Sequence, residues 1–288
     1  MNVALALAGR NLRVFFRDRT QVFFSLLSVF IVIGLYVLFL GDMMQAGVAR
    51  PGVDTRFLMD SWIMAGLVTV TSVTTIMGAF GILVEDKTRR IDKDFKSAPI
   101  RRWQLVAGYF LSAVAIGMIM CCISLALTQI YVISAGGRLL PAGALLRSLG
   151  VMLLAVLCSS AMIFCLVSVF QTSGSFGTAS MLIGTMIGFL TGIYIPIGSL
   201  PEGVQAVIRL FPPTHAAVLF RQVMMEVSMS EVFAGAPPEV VRDFSLKLGV
   251  ELTFFGRTAS PGVSLLFLGL TTVGFFGLAL VIARHKKT

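Results

Sequence analysis

Charge is scarce in this sequence, and the stretches without it are long. Of 288 residues only 13% are Asp, Glu, Lys or Arg, while 57% are hydrophobic. A soluble domain carries about 25% charged residues. No segment here is polar enough to build one, and the mean hydropathy of +0.92 agrees. The chain reads as a single membrane-embedded unit over residues 1–288. Cysteine is also sparse. Cys121, Cys122, Cys158 and Cys165 lie in apolar stretches, without CxxC spacing or a histidine cluster nearby. That pattern argues against a disulfide framework or a metal site and suits small residues facing core or lipid.

Chemically equipped residues are missing from the apolar runs. The two histidines, His215 and His285, fall outside them. Without Asp, Glu or His a span offers neither a nucleophile–base pair nor a metal ligand set. It also lacks the intramembrane ionisable group that marks the pathway of an ion-coupled carrier. No Gly is followed by Lys, so the GxxxxGK[ST] loop that cradles nucleotide phosphates is absent. The expectation is a chain with no catalytic site, no metal and no bound cofactor. Energy for uphill transport would come from another polypeptide.

What is present is a series of uncharged runs: 20–41, 61–84, 103–137, 148–201 and 258–283. A helix needs about 20 apolar residues to cross a bilayer core, and only helices or closed barrels satisfy their own backbone there. The run 148–201 is too long for one span and carries a polar, Gly-rich cluster at 171–177, which is read as a tight turn. The result is an all-α integral membrane protein with six transmembrane helices, at about 20–41, 61–84, 103–134, 148–170, 178–196 and 262–283.

Six spans put both termini on one side. That side then holds fourteen Lys and Arg against five acids, and the other side nine against nine. The whole formal charge of +9 falls on one face, which the positive-inside rule assigns to the cytoplasm. The expected location is the cell membrane, with both termini cytoplasmic. Basic charge confined to short loops also argues against nucleic acid as a partner. The lipid bilayer is the expected surrounding.

Two segments differ from the spans. In residues 1–19, Leu5, Leu12, Phe15 and Phe16 share a helix with Arg10, Arg13 and Arg17, the pattern of an interfacial helix whose arginines reach the headgroups. Residues 196–261 mix apolar and charged residues, with prolines at 201, 212 and 213. Short surface or re-entrant helices are expected in this last external loop.

The longest cytoplasmic segment, residues 85–102, is dense in both charge signs, with Ile91, Phe95 and Ile100 as isolated apolar residues. A short helix at the membrane surface followed by a break is its natural form. Here the chain resembles the ABC-2 type transporter permeases, in which an acidic–basic coupling helix runs into Ser/Thr-x-Pro just before the third span. The matching residues are Glu85, Asp86 and Lys87, then Asp94, Phe95, Lys96, Ser97, Ala98, Pro99, Ile100, Arg101 and Arg102. Arg90 stands where many members carry Gly. Gly192, Pro196, Leu200 and Pro201 resemble the family's G-x-x-x-P-x-x-x-L-P at the outer end of the fifth span. Phe211 to His215, including Pro213, is similar to its Asn-Pro segment, with Phe211 replacing Asn, and Arg221 follows.

The resemblance implies a permease homodimer or heterodimer bound to ATP-binding-cassette ATPase subunits, with ATP and Mg on those partners. Ile91 and Phe95 would anchor the coupling helix in an ATPase groove, with Lys96, Arg101 and Arg102 pairing at its rim. Family cargoes are mostly drugs, lipids, peptides or glycan polymers, with a few members linked to sodium export. The apolar spans favour a hydrophobic or amphipathic cargo. With two Trp and four Tyr to stack on sugars, polysaccharide ranks second. Sodium export, an immunity role and an ion-coupled secondary carrier are the alternatives. Thr69, Ser72 and Thr75 belong to a hydroxyl-rich stretch of the second span and are candidate pathway lining. Bonding to their own or a neighbouring helix is the alternative reading.

Overall fold

The structure, a computed structural model, describes residues 3–36, 38, 55–91, 100–254 and 257–285. Helix α1 (Val3–Arg17) buries Ala4, Leu7, Ala8, Asn11 and Phe15. Their three- and four-residue spacing makes one stripe. That stripe lies along α4 (Arg102–Ser134). Asp18 ends α1 and caps α2 (Arg19–Leu35), its Oδ1 accepting from the Gln21 amide at 3.0 Å. The two helices meet at 76°. Leu5 lies off this buried stripe and is exposed.

Helix α3 (Arg56–Thr88) is the centre of the fold. Its 33 residues span about 50 Å. It is apolar almost all round, and such a helix belongs inside a bundle. Around it pack α2, α4, α5 (Ala142–Val167), α6 (Ser173–Leu190) and α8 (Pro212–Met224). Helix α11 (Pro261–His285) closes the bundle against α5 and α8.

Among the described residues five helices, α3, α4, α5, α6 and α11, are long and apolar enough to cross a membrane, and six if α1 and α2 count together. Their bounds differ from the uncharged runs in instructive ways. The expected span 61–84 is helical from Arg56 to Thr88, so the helix carries Asp60 and Asp86, both buried. Both lie outside the expected span 61–84, which itself carries no Asp, Glu, Lys or Arg. A helix continues past a charge when the charge has partners. The expected turn at 171–177 falls earlier, because Thr172 caps α6 and its side chain accepts from the Ser175 amide. The expected span 178–196 stops at Leu190, because Gly192 takes φ +69°, a left-handed conformation suited to glycine after a helix.

Between α6 and α11 lie short elements: a 3-10 turn (Ile197–Ser199), α7 (Glu202–Arg209), α8, α9 (Glu226–Val232), α10 (Pro238–Leu248) and a two-residue ladder pairing Thr253–Phe254 with Arg257–Thr258. Pro212 and Pro213 start α8, where a missing N–H costs nothing. Helix α8 does not stay at the surface; it packs among α3, α5 and α11.

Close approach at the centre depends on glycine. A Cβ on Gly117 of α4 would lie 2.6 Å from Ile76 Cδ1 and 3.0 Å from Val156 Cγ1, where α3, α4 and α5 meet. Small residues at helix crossings are the usual device of membrane bundles. Gly117→Leu is expected to cost about 1–3 kcal/mol by overpacking. Gly269→Leu, where nothing lies within 4 Å, is expected to be close to neutral. Thermal unfolding in detergent should rank G117L well below G269L.

Candidate functional site at the two ends of the central helix

The last turn of α3 turns Asp86 away from Glu85, Lys87 and Thr88, since a helix turns 100° per residue. Asp86 points inward and is buried. Its Oδ1 accepts from Arg10 Nη2 at 2.9 Å, and its Oδ2 accepts from Arg10 Nη1 and from the Tyr109 hydroxyl at 2.6 Å. Arg10 Nη1 also donates to Asn11 Oδ1 at 3.0 Å, and Asn11 Nδ2 donates to Ser112 Oγ at 3.2 Å. Three helices are thus joined through one carboxylate: α1, α3 and α4. The hydrogen bonds from Arg10 to Asp86 hold the guanidinium more firmly protonated than usual. Removing one partner of a fully buried pair costs about 3–5 kcal/mol. Here the Arg10 side chain is 36% exposed, and water at that side reduces the figure.

The other residues of the turn face the link between α5 and α6. Lys87 Nζ donates to the carbonyls of Val167 at 3.3 Å and Phe170 at 3.4 Å, a cation placed at a helix C-terminus. Thr88 Oγ1 accepts from the Ser173 amide at 3.0 Å. Glu85 accepts from Ser173 Oγ and Arg89 Nε, and these hydrogen bonds hold its carboxyl below the ordinary range. The end of α3 is therefore clasped from two sides.

The chain leaves the turn through Arg90, at φ +62°. At this position, where the resemblance leads to an expectation of Gly, the backbone is left-handed. A residue with a Cβ is strained there and glycine is not. Ile91, half-buried, lines a cavity of about 530 Å³ together with Arg10, Val14, Asp18, Gln21, Glu85 and Arg89. Of the remaining expected coupling residues, Phe95, Lys96, Ser97 and Pro99 lie outside the described residues. Arg101 and Arg102 are exposed where α4 begins, with Gln104 Oε1 accepting from the Arg101 amide at 3.0 Å.

The opposite end of the bundle is organised by Arg221 on α8, which is fully buried. Its Nη2 donates to the carbonyls of Thr191 at 2.9 Å and Gly192 at 3.1 Å, and its Nη1 to that of Gly249 at 3.2 Å. The guanidinium carbon sits 4.9 Å from the ring centroid of Trp62, within cation–π range. Trp62 Nε1 in turn donates to the Leu248 carbonyl at 2.7 Å. The charge is thus held by carbonyls at the C-termini of α6 and α10, where helix dipoles favour a cation. Gly249, at φ +65°, leaves room for Arg221 Nη1 at 3.1 Å from where a Cβ would stand.

This gathers the expected outer motif into one place. Gly192 contributes a carbonyl to Arg221. Pro196 and Pro201 stand at the N-caps of the 3-10 turn and α7. Leu200 ends the 3-10 turn and its carbonyl accepts from Gln205 Nε2 at 2.8 Å. Pro213 is buried in the first turn of α8.

Thr69, Ser72 and Thr75 face the interior of the same chain. Thr69 Oγ1 donates to the Ala65 carbonyl at 3.2 Å, and Ser72 Oγ to that of Thr69 at 2.7 Å while lying 3.5 Å from Ser159 Oγ. All three are buried.

Several participants had no signal in the sequence. Arg10 reads there as one of several headgroup arginines, and Trp62 as one aromatic in a span. Asp60 stands one residue before an uncharged run, yet it is buried with Tyr36, Tyr131 and Arg56 within electrostatic reach. His215 reads as a loop residue. It is buried, stacked on Phe267 at 4.1 Å, and placed 2.9 Å from the Arg209 carbonyl and 3.1 Å from Ser264 Oγ. Since a carbonyl only accepts, Nε2 carries the proton toward Arg209. Among the described residues no group of three or more His, Cys, Asp or Glu is placed to hold a metal ion.

A family model described as ABC-2 family transporter protein matches residues 55–281. Among curated proteins none matches the chain.

Two substitutions test this geometry. Arg90→Gly should relieve about 1 kcal/mol of strain and raise the unfolding temperature. Arg221→Lys should lower it, because an ammonium cannot reproduce a planar fork over three carbonyls and a ring. Arg221→Ala should lower it further, since each buried carbonyl left bare costs about 1–3 kcal/mol. Thermal unfolding in detergent should give the order R90G, wild type, R221K, R221A.

Proposed function

Because the chain belongs to the ABC-2 family transporter proteins, membrane components of ABC transporters, we propose that it is the permease subunit of an ATP-binding-cassette exporter. In this reading six helices span the cell membrane, the first being α2 and its continuation. The basic end of the bundle, with both termini, is cytoplasmic. Two permease chains, identical or paired with a relative, bind two ATPase subunits that hold ATP and Mg. Segment 85–102 is the coupling helix and its approach. Phe95 and Ile91 anchor it in the ATPase, with Lys96, Arg101 and Arg102 at the rim.

The observation that carries this reading is the single helix α3, which begins at Arg56 near the outer end and runs unbroken to Thr88 at the start of the charged loop. Packed against seven other helices among the described residues, it is a rigid rod with its charged end in the expected coupling segment. A push on the loop is therefore a push on the core of the bundle. At the other end α3 meets Arg221 through Trp62, so the same rod reaches the outer elements.

A hydrophobic or amphipathic cargo fits the surfaces that α5, α6 and α11 offer. A groove of about 400 Å³ among them is lined by Met162, Leu166, Val169, Ile183, Met186 and Phe275, without a charged residue. An ordered sugar polymer would find few aromatic platforms there.

Three measurements test the proposal. An ABC ATPase should co-purify with the chain, and candidate amphiphiles should stimulate its ATP hydrolysis; neither occurring would sink the assignment. Phe95→Ala combined with Lys96→Glu should abolish ATP-driven transport and leave membrane insertion intact. A cysteine at Ser97 should react with impermeant reagents only from the cytoplasmic side, and labelling from outside intact cells would invert the topology.

A further inference from the structure

The charged end of α3 contributes an acid that is buried away from any partner protein. Asp86 is buried, with its two oxygens taken by Arg10 and Tyr109. It therefore acts inside the chain. Resting on the coupling reading above, we infer that Arg10 and Asp86 form a latch through which displacement of the cytoplasmic loop is carried into α1 and from there into α2. Both are positioning residues for transport.

Geometry supports transmission along this path. The two nitrogens of Arg10 meet the two oxygens of Asp86, and a bidentate contact fixes direction as well as distance. Helix α1 has little freedom to absorb the movement. Leu7 lies against Gly108 of α4 so closely that an added Cβ would stand 2.7 Å from it. At its far end α1 passes through Asp18, the cap of α2, and the two helices meet at 76°. A displacement of α1 together with α4 is thus handed on to α2 at that bend.

The pair is also built to open. Asp86 is 4% exposed at its side chain and Arg10 36%. When Arg10 swings away, its guanidinium enters water while Asp86 keeps the Tyr109 hydroxyl. A pair buried on both sides would strand two charges on opening; here Arg10 reaches water and only Asp86 is left buried, with the Tyr109 hydroxyl as its donor.

The test uses the chain in phosphatidylethanolamine–phosphatidylglycerol vesicles, alone and with its co-purified ATPase. The four native cysteines are replaced by serine and a spin label is placed at Leu5→Cys, on the exposed side of α1. In the assembly with wild-type Arg10 and Asp86, trapping with ATP and vanadate should change the label's spectrum. Arg10→Gln should lose at least nine-tenths of that change while the ATPase remains bound. The exchanged pair, Arg10→Asp with Asp86→Arg, should restore it. In the lone chain, both Arg10→Gln and Asp86→Asn should make the label more mobile, and the exchange should reverse this. A nucleotide-dependent change that survives Arg10→Gln, or an inserted exchange variant that restores nothing, overturns the latch. A wild-type chain that captures no ATPase counts against the coupling reading alone, because label mobility in the lone chain still decides whether the latch exists.

Discussion

A helix enclosed on all sides has no water to satisfy its polar ends, and α3 is enclosed along nearly its whole length. Every charged or polar group near its termini must then find a partner inside the protein or move the helix end into solvent. At the basic end Asp86 takes donors from α1 and α4, while Lys87 and Thr88 tie the α5–α6 link. At the other end Trp62 presents its ring to Arg221 and its N–H to Leu248. These contacts are direct consequences of burying α3, and they determine which elements can sit beside it.

The same constraint explains how α6, α8 and α10 come together. Helices that end inside a bundle leave bare carbonyls. Arg221 satisfies three of them, from Thr191, Gly192 and Gly249, without a carboxylate of its own. Left-handed glycines at 192 and 249 turn the chain so that those carbonyls converge. The segment between α6 and α11 is thereby stitched to the long helices by backbone groups, which side-chain substitution elsewhere cannot remove. For a transporter the effect is a rod held at both ends, with few ways to move except as a unit.

Much of the fold is legible in the sequence because the bilayer limits the choices. A run of twenty uncharged apolar residues in a chain with 13% charge has no other stable form. Helices α4 and α11 follow the expected spans 103–134 and 262–283 to within two residues at each end. The ends of α3 and α6 do not. Asp60 and Asp86 are invisible as helix residues to any rule that stops at charge, and a cap such as Thr172 weighs little against a glycine-rich stretch. The outer motif is legible as a pattern, through Gly192, Pro196 and Pro201, but its purpose of presenting carbonyls to Arg221 is not. The hydroxyls Thr69, Ser72 and Thr75 stand out in the sequence, whereas their orientation toward α3's own turns and α5 is a matter of packing.

By itself, then, the sequence determined that the chain is helical, membrane-embedded, basic at one end and without a nucleotide-binding loop, because each of these depends on local composition and on what lipid permits. Only the tertiary structure decided which charges are buried and with whom. Arg10 and Asp86 are separated by 76 positions, and Arg221 and Trp62 are more distant still. A contact between such residues depends on how helices rotate and cross, and the hydrophobic pattern of an almost uniformly apolar helix carries no record of that rotation.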